Sequence, residues 1–166
     1  MRLLYMVVVD IIAVILLLGI IIMLVINKDV SKVKAIVQKQ AEYLRGSASD
    51  NFFRKNHYSF FMTDEYLCVS MLIEEQWSGS CWSDDMDEPK YYEEKTSLVK
   101  KAIRVLLSAM LPRKNDVQIG SLVESVFEKM RRDMHTEYGY YGNYETTKRY
   151  TINISDVYDL LVEKLK

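Results

Sequence analysis

Residues 63–77, TDEYLCVSMLIEEQW, decide the fold class of this chain because their pattern permits two structures. The apolar side chains of residues 67–73 recur at every second position, which is typical of a β-strand. The preceding TDE at residues 63–65 is typical of a helix start. We predict a helix here, and therefore an α+β fold in which a small helix-rich domain carries one β-hairpin.

The next segment is strongly acidic. Residues 74–94 contain eight acidic residues and one lysine, without the periodicity of a core-forming element, and we predict an exposed acidic loop. Its carboxylates lack the spacing of a calcium loop, so we predict no metal site. Exposed indoles are frequent interface anchors. The predicted interaction residues are Trp77, Trp82, Asp84, Asp85, Asp87 and Glu88.

Two helices are predicted after the acidic segment. The first begins at Thr96 or Ser97, has apolar residues on more than one face and ends before Pro112. The second begins at a capping box formed by Ser121 and Glu124 and continues to about residue 134. Both helices are expected to contribute to the core.

The C-terminal segment changes in character. Residues 136–155, TEYGYYGNYETTKRYTINIS, are rich in Tyr and Thr, and Gly142 and Asn143 are typical of a turn. Tyr150 and Ile152 alternate with polar residues, so we predict a β-hairpin. Ser155 is then predicted to cap a final helix.

The N-terminal segment is the longest apolar run. Residues 3–26 are apolar or Gly except Asp10, and as a helix of 24 residues they would extend roughly 36 Å. A hydrocarbon core is about 30 Å thick. The run ends without the small residues of a signal-peptide cleavage site. We predict an uncleaved transmembrane anchor at residues 1–27, and hence a single-pass membrane protein.

Residues 28–46 follow the predicted anchor as an amphipathic juxtamembrane helix, and residues 47–166 as a small soluble α+β domain. The basic residues behind the span favour a cytoplasmic domain. The helix is either a stalk or pairing seam between copies, or it lies on anionic lipid. The lipid-surface candidates are Lys28, Lys32, Lys34 and Lys39.

Asp10 is the membrane functional candidate because an ionisable group within a span is expensive there. It could lie at the interface, hydrogen-bond another span or carry protons. Its position before a helical stalk resembles that in the single-span subunits of proton-driven motors of the biopolymer transport and flagellar stator group. The resemblance implies that Asp10 takes up protons and that the domain is exported, contrary to the charge distribution.

No catalytic motif is recognisable. His57 and His135 do not lie in a motif beside a nucleophile, and phosphate-binding and dinucleotide-binding loops are absent from the sequence. We therefore predict neither an enzyme nor a cofactor. Cys68 and Cys81 would pair in an oxidising compartment and remain thiols in the cytosol.

The predicted function is interaction. We expect a non-catalytic, membrane-anchored protein whose soluble domain binds a protein partner or assembles a membrane complex. Its partners would be the lipid bilayer and a second protein, or further copies that associate through span and stalk. The order of helix, helix and hairpin also suggests a winged-helix nucleic-acid binder, with contacts from Arg131, Arg132, Lys148 and Arg149. Acidic residues on the second helix would repel phosphate, so nucleic acid is the less favoured partner.

Overall fold

The computed structural model describes residues 2–45, 57–77, 87–140 and 143–165. Within these ranges the chain is a mixed α+β protein with five helices and five strands. The elements in chain order are α1 (Arg2–Val25), α2 (Val30–Arg45), β1 (Tyr58–Met62), β2 (Tyr66–Trp77), β3 (Lys90–Tyr91), α3 (Thr96–Met110), α4 (Asp116–Arg132), β4 (His135–Tyr140), β5 (Asn143–Asn153) and α5 (Ile154–Lys164).

The five strands form one antiparallel sheet in the order β1-β2-β5-β4. β5 pairs with β2 along its whole length, from Tyr66 opposite Asn153 to Trp77 opposite Asn143. β1 and β3 both pair with the other edge of β2, β1 with its first half and β3 with its second. β2 is therefore the central strand of the sheet.

The helix predicted at residues 63–77 is wrong, because β2 occupies most of this stretch. The side chain of Thr63 accepts hydrogen bonds from the backbone N–H groups of Glu65 and Tyr66, at 3.2 and 3.1 Å. A hydroxyl that could begin a helix thus closes the turn between β1 and β2. The alternating apolar residues then continue as a strand with a partner on each edge.

Four helices cover one face of the sheet. Side chains that share a face of the three paired strands, such as Phe60, Val69 and Tyr150, belong to one buried cluster with residues of α2, α3, α4 and α5. α3 lies at its centre, with Ile103 and Leu106 fully buried. The cluster brings together segments that are distant in sequence.

The helix starts differ from the prediction. α4 begins at Asp116, where the Asn115 side chain accepts from the Gln118 N–H at 3.0 Å and the Gln118 side chain accepts from the Asn115 N–H at 3.4 Å. The capping box at Ser121 is therefore wrong. The α3 start at Thr96 has no side-chain cap, and neither has α5, which begins at Ile154 rather than after a capping Ser155.

The connection between α1 and α2 is fixed to the domain. Asn27 N–H donates to the carbonyl of Met110 at 2.6 Å, and the Tyr158 hydroxyl donates to the carbonyl of Asn27 at 2.8 Å. Burial raises the pKa of Tyr158, and the nearby charge of Asp29 adds to this effect. α2 itself packs against β1 and α3 through Val33 and Val37, which are buried in the core.

Within the part of the chain that the structure describes, none of the helices has both the length and the apolar character of a membrane span. A span needs about 20 apolar residues in one helix. The finding contradicts the transmembrane anchor at residues 1–27, the single-pass topology and the membrane localisation. The predicted fold is likewise corrected: the α+β chain has a five-stranded antiparallel sheet in place of a single β-hairpin, and the described residues contain no transmembrane helix.

Candidate functional site

The predicted interaction residues that the structure describes lie at one end of the sheet. Trp77 is the last residue of β2 and is 38% exposed, and its carbonyl accepts from the Asp87 N–H at 3.0 Å. Asp87 and Glu88 are exposed. Trp82, Asp84 and Asp85 lie outside the described residues, as does Cys81. Cys68 is a buried free thiol in β2.

One edge of β2 pairs first with β1 and then with β3, and we call the point where one partner replaces the other the junction. We call this edge the outer edge of β2. The Leu72 N–H donates to the carbonyl of His57 at 2.8 Å, and the Tyr92 N–H donates to the carbonyl of Ile73 at 2.9 Å. Between Leu72 and Glu74 the register of β2 with β5 shifts by a bulge. His57 has a φ of 61°, a left-handed conformation that is uncommon for a residue other than glycine. Bulges and strained residues concentrate at functional sites.

An aromatic stack bridges this junction. The rings of His57 and Tyr92 stack with centroids 3.7 Å apart and an angle of 21° between their planes. The Tyr92 hydroxyl donates to one carboxylate oxygen of Glu75 at 2.9 Å, and the Trp77 indole N–H donates to the other. Burial raises the pKa of Tyr92, and the hydrogen bond and charge of Glu75 raise it further. One carboxylate thus connects Trp77 to the stack.

Residues 91–95 alternate between the surface and the interior: Tyr91, Glu93 and Lys95 are exposed, and Tyr92 and Glu94 point inward. The two inward side chains are both held by hydrogen bonds to the sheet. This segment precedes α3 directly. The arrangement fixes the positions at which the exposed side chains leave the backbone.

The Glu94 carboxylate accepts hydrogen bonds from the Lys148 ammonium and the Tyr150 hydroxyl. Partial burial of Glu94 opposes its ionisation, but the two hydrogen bonds and the charge of Lys148 outweigh burial and lower its pKa. Burial, the hydrogen bond to Glu94 and the charge of Glu94 raise the pKa of Tyr150 well above its ordinary value. Tyr150 is 1% exposed and stacks on Phe127, with ring centroids 6.3 Å apart. The cluster anchors the start of α3 to β5.

A cavity of about 200 Å³ lies between the junction and the start of α3. Met71 and Leu98 form its apolar lining, and the other lining side chains are aromatic or charged. The His57 Nδ1 atom is buried and has no hydrogen-bond partner among the residues that the structure describes. A buried polar atom without a partner is unfavourable, and because this atom has almost no accessible surface, a group in the cavity does not reach it in this conformation. We call this space the His57 cavity.

Two other features of the described residues are weaker candidates than the His57 cavity. A groove of about 400 Å³ between α2 and α3 is lined by Ile36, Val105 and Ala109 among others, and none of its lining side chains has a buried polar atom without a partner. On the opposite face of the sheet, Glu137 contacts Arg149 at 2.8 Å and His135 at 3.3 Å. There the acidic group is already paired, and the Arg149 Nε atom, which is also buried without a hydrogen-bond partner among the described residues, lines neither cavity. The His57 cavity, with its charged and aromatic lining, is the stronger candidate.

The residues predicted to act at a membrane lie away from the His57 cavity, in or near α1 and α2. Asp10 lies exposed in α1 among exposed apolar side chains. Its predicted roles assume a membrane span, and none was found among the described residues. Lys28, Lys32 and Lys39 are exposed at or near α2. Lys34 contacts Asp64 in the β1–β2 turn at 3.1 Å. This lysine therefore contacts the domain itself.

Comparisons of the chain with protein-family models, with curated proteins and with solved structures found no match. In the described part of the chain, no three His, Cys, Asp or Glu side chains are grouped so that they could hold a metal ion.

Sequence reasoning missed His57, Tyr91, Tyr92 and Glu93 as parts of a site. Tyr91 and Tyr92 lie inside the predicted acidic loop, and the sequence places His57 in neither a catalytic motif nor a set of zinc ligands. The sequence does contain one indication of a site: large aromatic residues stand directly beside acidic residues, which is unusual in a loop that only contacts solvent. Their convergence with His57 depends on the sheet register, which the local pattern does not encode.

Proposed function

We propose that this protein is a non-catalytic interaction module that binds a positively charged segment of a partner protein. The contact region is the exposed edge of the sheet at the end of β2 and along β3, which we call the acidic aromatic surface. Its members are Trp77, Asp87, Glu88, Tyr91 and Glu93. Tyr91 pairs with Glu74, so the side chains of Tyr91 and Trp77 lie on opposite sides of this edge.

The observation that carries this proposal is the exposure of two large aromatic side chains on rigid backbone. Trp77 is 38% exposed and Tyr91 72% exposed, and both belong to paired strands. Trp and Tyr are enriched among the residues that contribute most to protein–protein binding, because they bury a large area with little loss of side-chain entropy. Strand pairing has already fixed their backbone, which reduces the ordering needed on binding.

The charges around these aromatic residues indicate the nature of the partner. Asp87, Glu88 and Glu93 are exposed, and Lys90 and Lys95 are exposed basic residues near them, so carboxylates are in slight excess. An excess of exposed carboxylates attracts positively charged ligands and speeds their association at low salt. A basic segment with apolar or aromatic character is therefore the best complement.

The same charges disfavour nucleic acid as a partner. Three of the basic residues considered as phosphate contacts are paired with carboxylates: Arg131 with Glu128, Lys148 with Glu94 and Arg149 with Glu137. A phosphate would have to displace these carboxylates before it could bind. The exposed carboxylates of the acidic aromatic surface would repel it further.

The test detects peptide binding through the fluorescence of Trp77 itself. The chain has two tryptophans, so Trp82→Phe leaves Trp77 as the sole source of indole fluorescence. We expect a ten-residue lysine peptide to change the emission of this variant, with an affinity that falls as salt is raised. A ten-residue glutamate peptide should leave the emission unchanged.

Two exposed tyrosines give a matched pair of variants. Tyr91→Ala should weaken binding of the lysine peptide by about fivefold or more, since it removes a central aromatic contact. Tyr138→Ala should not change binding, because Tyr138 is 81% exposed on β4, at the opposite edge of the sheet. Equal losses in both variants, or equal responses to the lysine and glutamate peptides, would refute the proposed function.

A further inference from the structure

The groove between α2 and α3, which we call the α2–α3 groove, has a volume of about 400 Å³. The Asn27 N–H donates to the carbonyl of Met110, and this bond holds the start of α2 beside the end of α3. Val33 and Val37 bury the inner side of α2 in the core. Both walls of the groove are therefore fixed in the folded chain, which reduces the ordering needed on binding.

The lining of the groove repeats once per helical turn. Lys32, Ile36 and Gln40 are four residues apart, so they lie on one face of α2 and extend over roughly 12 Å. Val105 and Ala109 have the same spacing on α3. Ile36 is 40% exposed, although the inner side of α2 is buried. An apolar strip about two turns long thus lies open between the two helices.

The charged residues that line the groove are both basic, and they lie on different helices: Lys32 on α2 and Arg104 on α3. Lys28 and Arg113, which directly follow lining residues in the chain, are exposed as well. α3 carries three basic residues and no acidic residue. The surroundings of the apolar strip are therefore rich in positive charge.

Two carboxylates near the groove do not cancel the charge of these four basic residues. The Asp29 carboxylate accepts from the backbone N–H of Lys32 at 3.1 Å and caps the start of α2. Asp116 contacts Arg104 at 3.7 Å, but its side chain is 94% exposed, and ion pairs at such positions are weak. The remaining excess of positive charge favours a negatively charged occupant.

The shape of the groove favours a helix over a small anion. Sites for small ligands enclose most of the ligand and place a few polar groups precisely around it. Here Lys32, Arg104 and Ser108 are all exposed, so the polar lining does not enclose a small anion. An amphipathic helix that packs on α2 and α3 would cover the whole apolar strip and place acidic side chains on both sides of it.

A second copy of this chain does not supply such a helix from its described residues. α4 and α5 are the described helices with more than one acidic residue, and both bury their apolar faces in the core. We propose that the α2–α3 groove binds an acidic amphipathic helix of a partner protein. Its apolar face covers Ile36, Val105 and Ala109, and its acidic residues approach Lys32 and Arg104. The inference goes beyond the proposed function and does not depend on it, because the acidic aromatic surface binds a segment of opposite charge.

Two fluorescein-labelled peptides of identical composition test the proposal. Each has fourteen residues, six leucines and eight glutamates. In the amphipathic peptide the leucines share one helix face, and in the rearranged peptide they are spread around the helix. By fluorescence anisotropy with the full chain, we expect the amphipathic peptide to bind at least tenfold more tightly, with an affinity that falls as salt is raised. Equal binding of the two peptides, or no binding of either, would overturn the inference.

Two partly exposed apolar residues give a matched pair of variants. Ile36→Ser removes the central apolar contact and should weaken binding of the amphipathic peptide about tenfold. Phe61→Ser should leave binding unchanged, because Phe61 is similarly exposed, at 37%, on the face of the sheet opposite the helices. Equal losses in the two variants would place the peptide elsewhere and overturn the inference.

Charge reversal gives a second matched pair. Lys32→Glu should weaken binding of the amphipathic peptide about fivefold at low salt, and Lys164→Glu, at an exposed position of α5, should not. Tyr91→Ala, which tests the proposed function, should leave binding of this peptide unchanged. The two proposals can therefore fail separately.

Two further measurements detect other occupants of the groove. A full chain that sediments as a dimer and becomes monomeric on Ile36→Ser would assign the groove to a second copy. Displacement of the amphipathic peptide by dodecanoate at a lower concentration than by the unlabelled peptide would assign it to a small amphipathic anion. Either result would overturn the inference.

Discussion

The two halves of the outer edge of β2 are held by different forces. Along β1, Phe60 and Met62 are buried in the core against the helices. β3 pairs with β2 through two residues. The segment that follows β3 is held by side-chain hydrogen bonds: Tyr92 donates to Glu75, and Glu94 accepts from Lys148 and Tyr150. Apolar burial contributes most of the free energy of folding, whereas hydrogen bonds contribute less but fix direction. The β1 half therefore stabilises the fold, and the β3 half positions the acidic aromatic surface.

The largest expected effect lies in the β1 half. Phe60 is 3% exposed, and Phe60→Ala should lower the free energy of unfolding by about 3 to 5 kcal/mol, because it removes buried apolar area and leaves a cavity. Phe61, its neighbour on the other face, is 37% exposed and provides the matched variant Phe61→Ala. Urea unfolding of both variants measures the difference. Similar losses in the free energy of unfolding would show that Phe60, on the helix-covered face, stabilises the fold no more than the exposed Phe61.

An intermediate effect is expected where the β3 half meets the core. Tyr150→Phe keeps the buried ring and removes the hydroxyl that donates to Glu94. The free energy of unfolding should fall by about 1.5 to 3 kcal/mol, the range for a hydrogen bond to a charged group. Tyr138→Phe, at an exposed position, is the control and should have no effect. A Tyr150→Phe variant as stable as the parent would indicate that Lys148 alone satisfies the carboxylate.

The smallest effect concerns the dependence of stability on pH. The pKa of Glu94 is lower in the folded chain than its ordinary value of about 4.5, so near this pH the folded state binds fewer protons than the unfolded state. The stability that Glu94 contributes is therefore present above pH 4.5 and is lost as the pH falls through its folded pKa. Glu94→Gln should lower stability at neutral pH and lose less on acidification from about pH 5 to about pH 3.

The neighbouring Glu93→Gln is the control for this measurement, because Glu93 is exposed. Its urea midpoint should follow the pH dependence of the parent chain. A Glu94→Gln variant with the full acid sensitivity of the parent would show that other carboxylates dominate the acid response.

Much of the C-terminal half was predictable from local pattern. The apolar periodicity of α3 extends over four turns and identifies a helix without reference to any partner. The hairpin of β4 and β5 is confirmed by their antiparallel pairing, and its two strands are adjacent in sequence. Helix starts were less predictable from the sequence. Asn115 and Gln118, like Ser121 and Glu124, have the spacing of a capping box, and Asn115 and Gln118 form the box at the start of α4.

The candidate site was only partly predictable. Trp77 and Glu88 stood out by type and by local charge. The stack of His57 on Tyr92 and the contacts of Glu94 with Lys148 and Tyr150 join residues far apart in the chain. Composition identifies an acidic, aromatic segment, but the cavity beside it exists only where β1, β3 and α3 meet.

The sequence by itself determined the elements whose signal is local: the helices α3, α4 and α5 and the hairpin of β4 with β5. The tertiary structure decided that β2 is a strand, because its backbone groups pair with β1 on one edge and with the distant β5 on the other. A helix satisfies its hydrogen bonds within a few residues, so periodicity reveals it. A central strand depends on partners that only the assembled sheet supplies, and here the same residues carried signals for both structures.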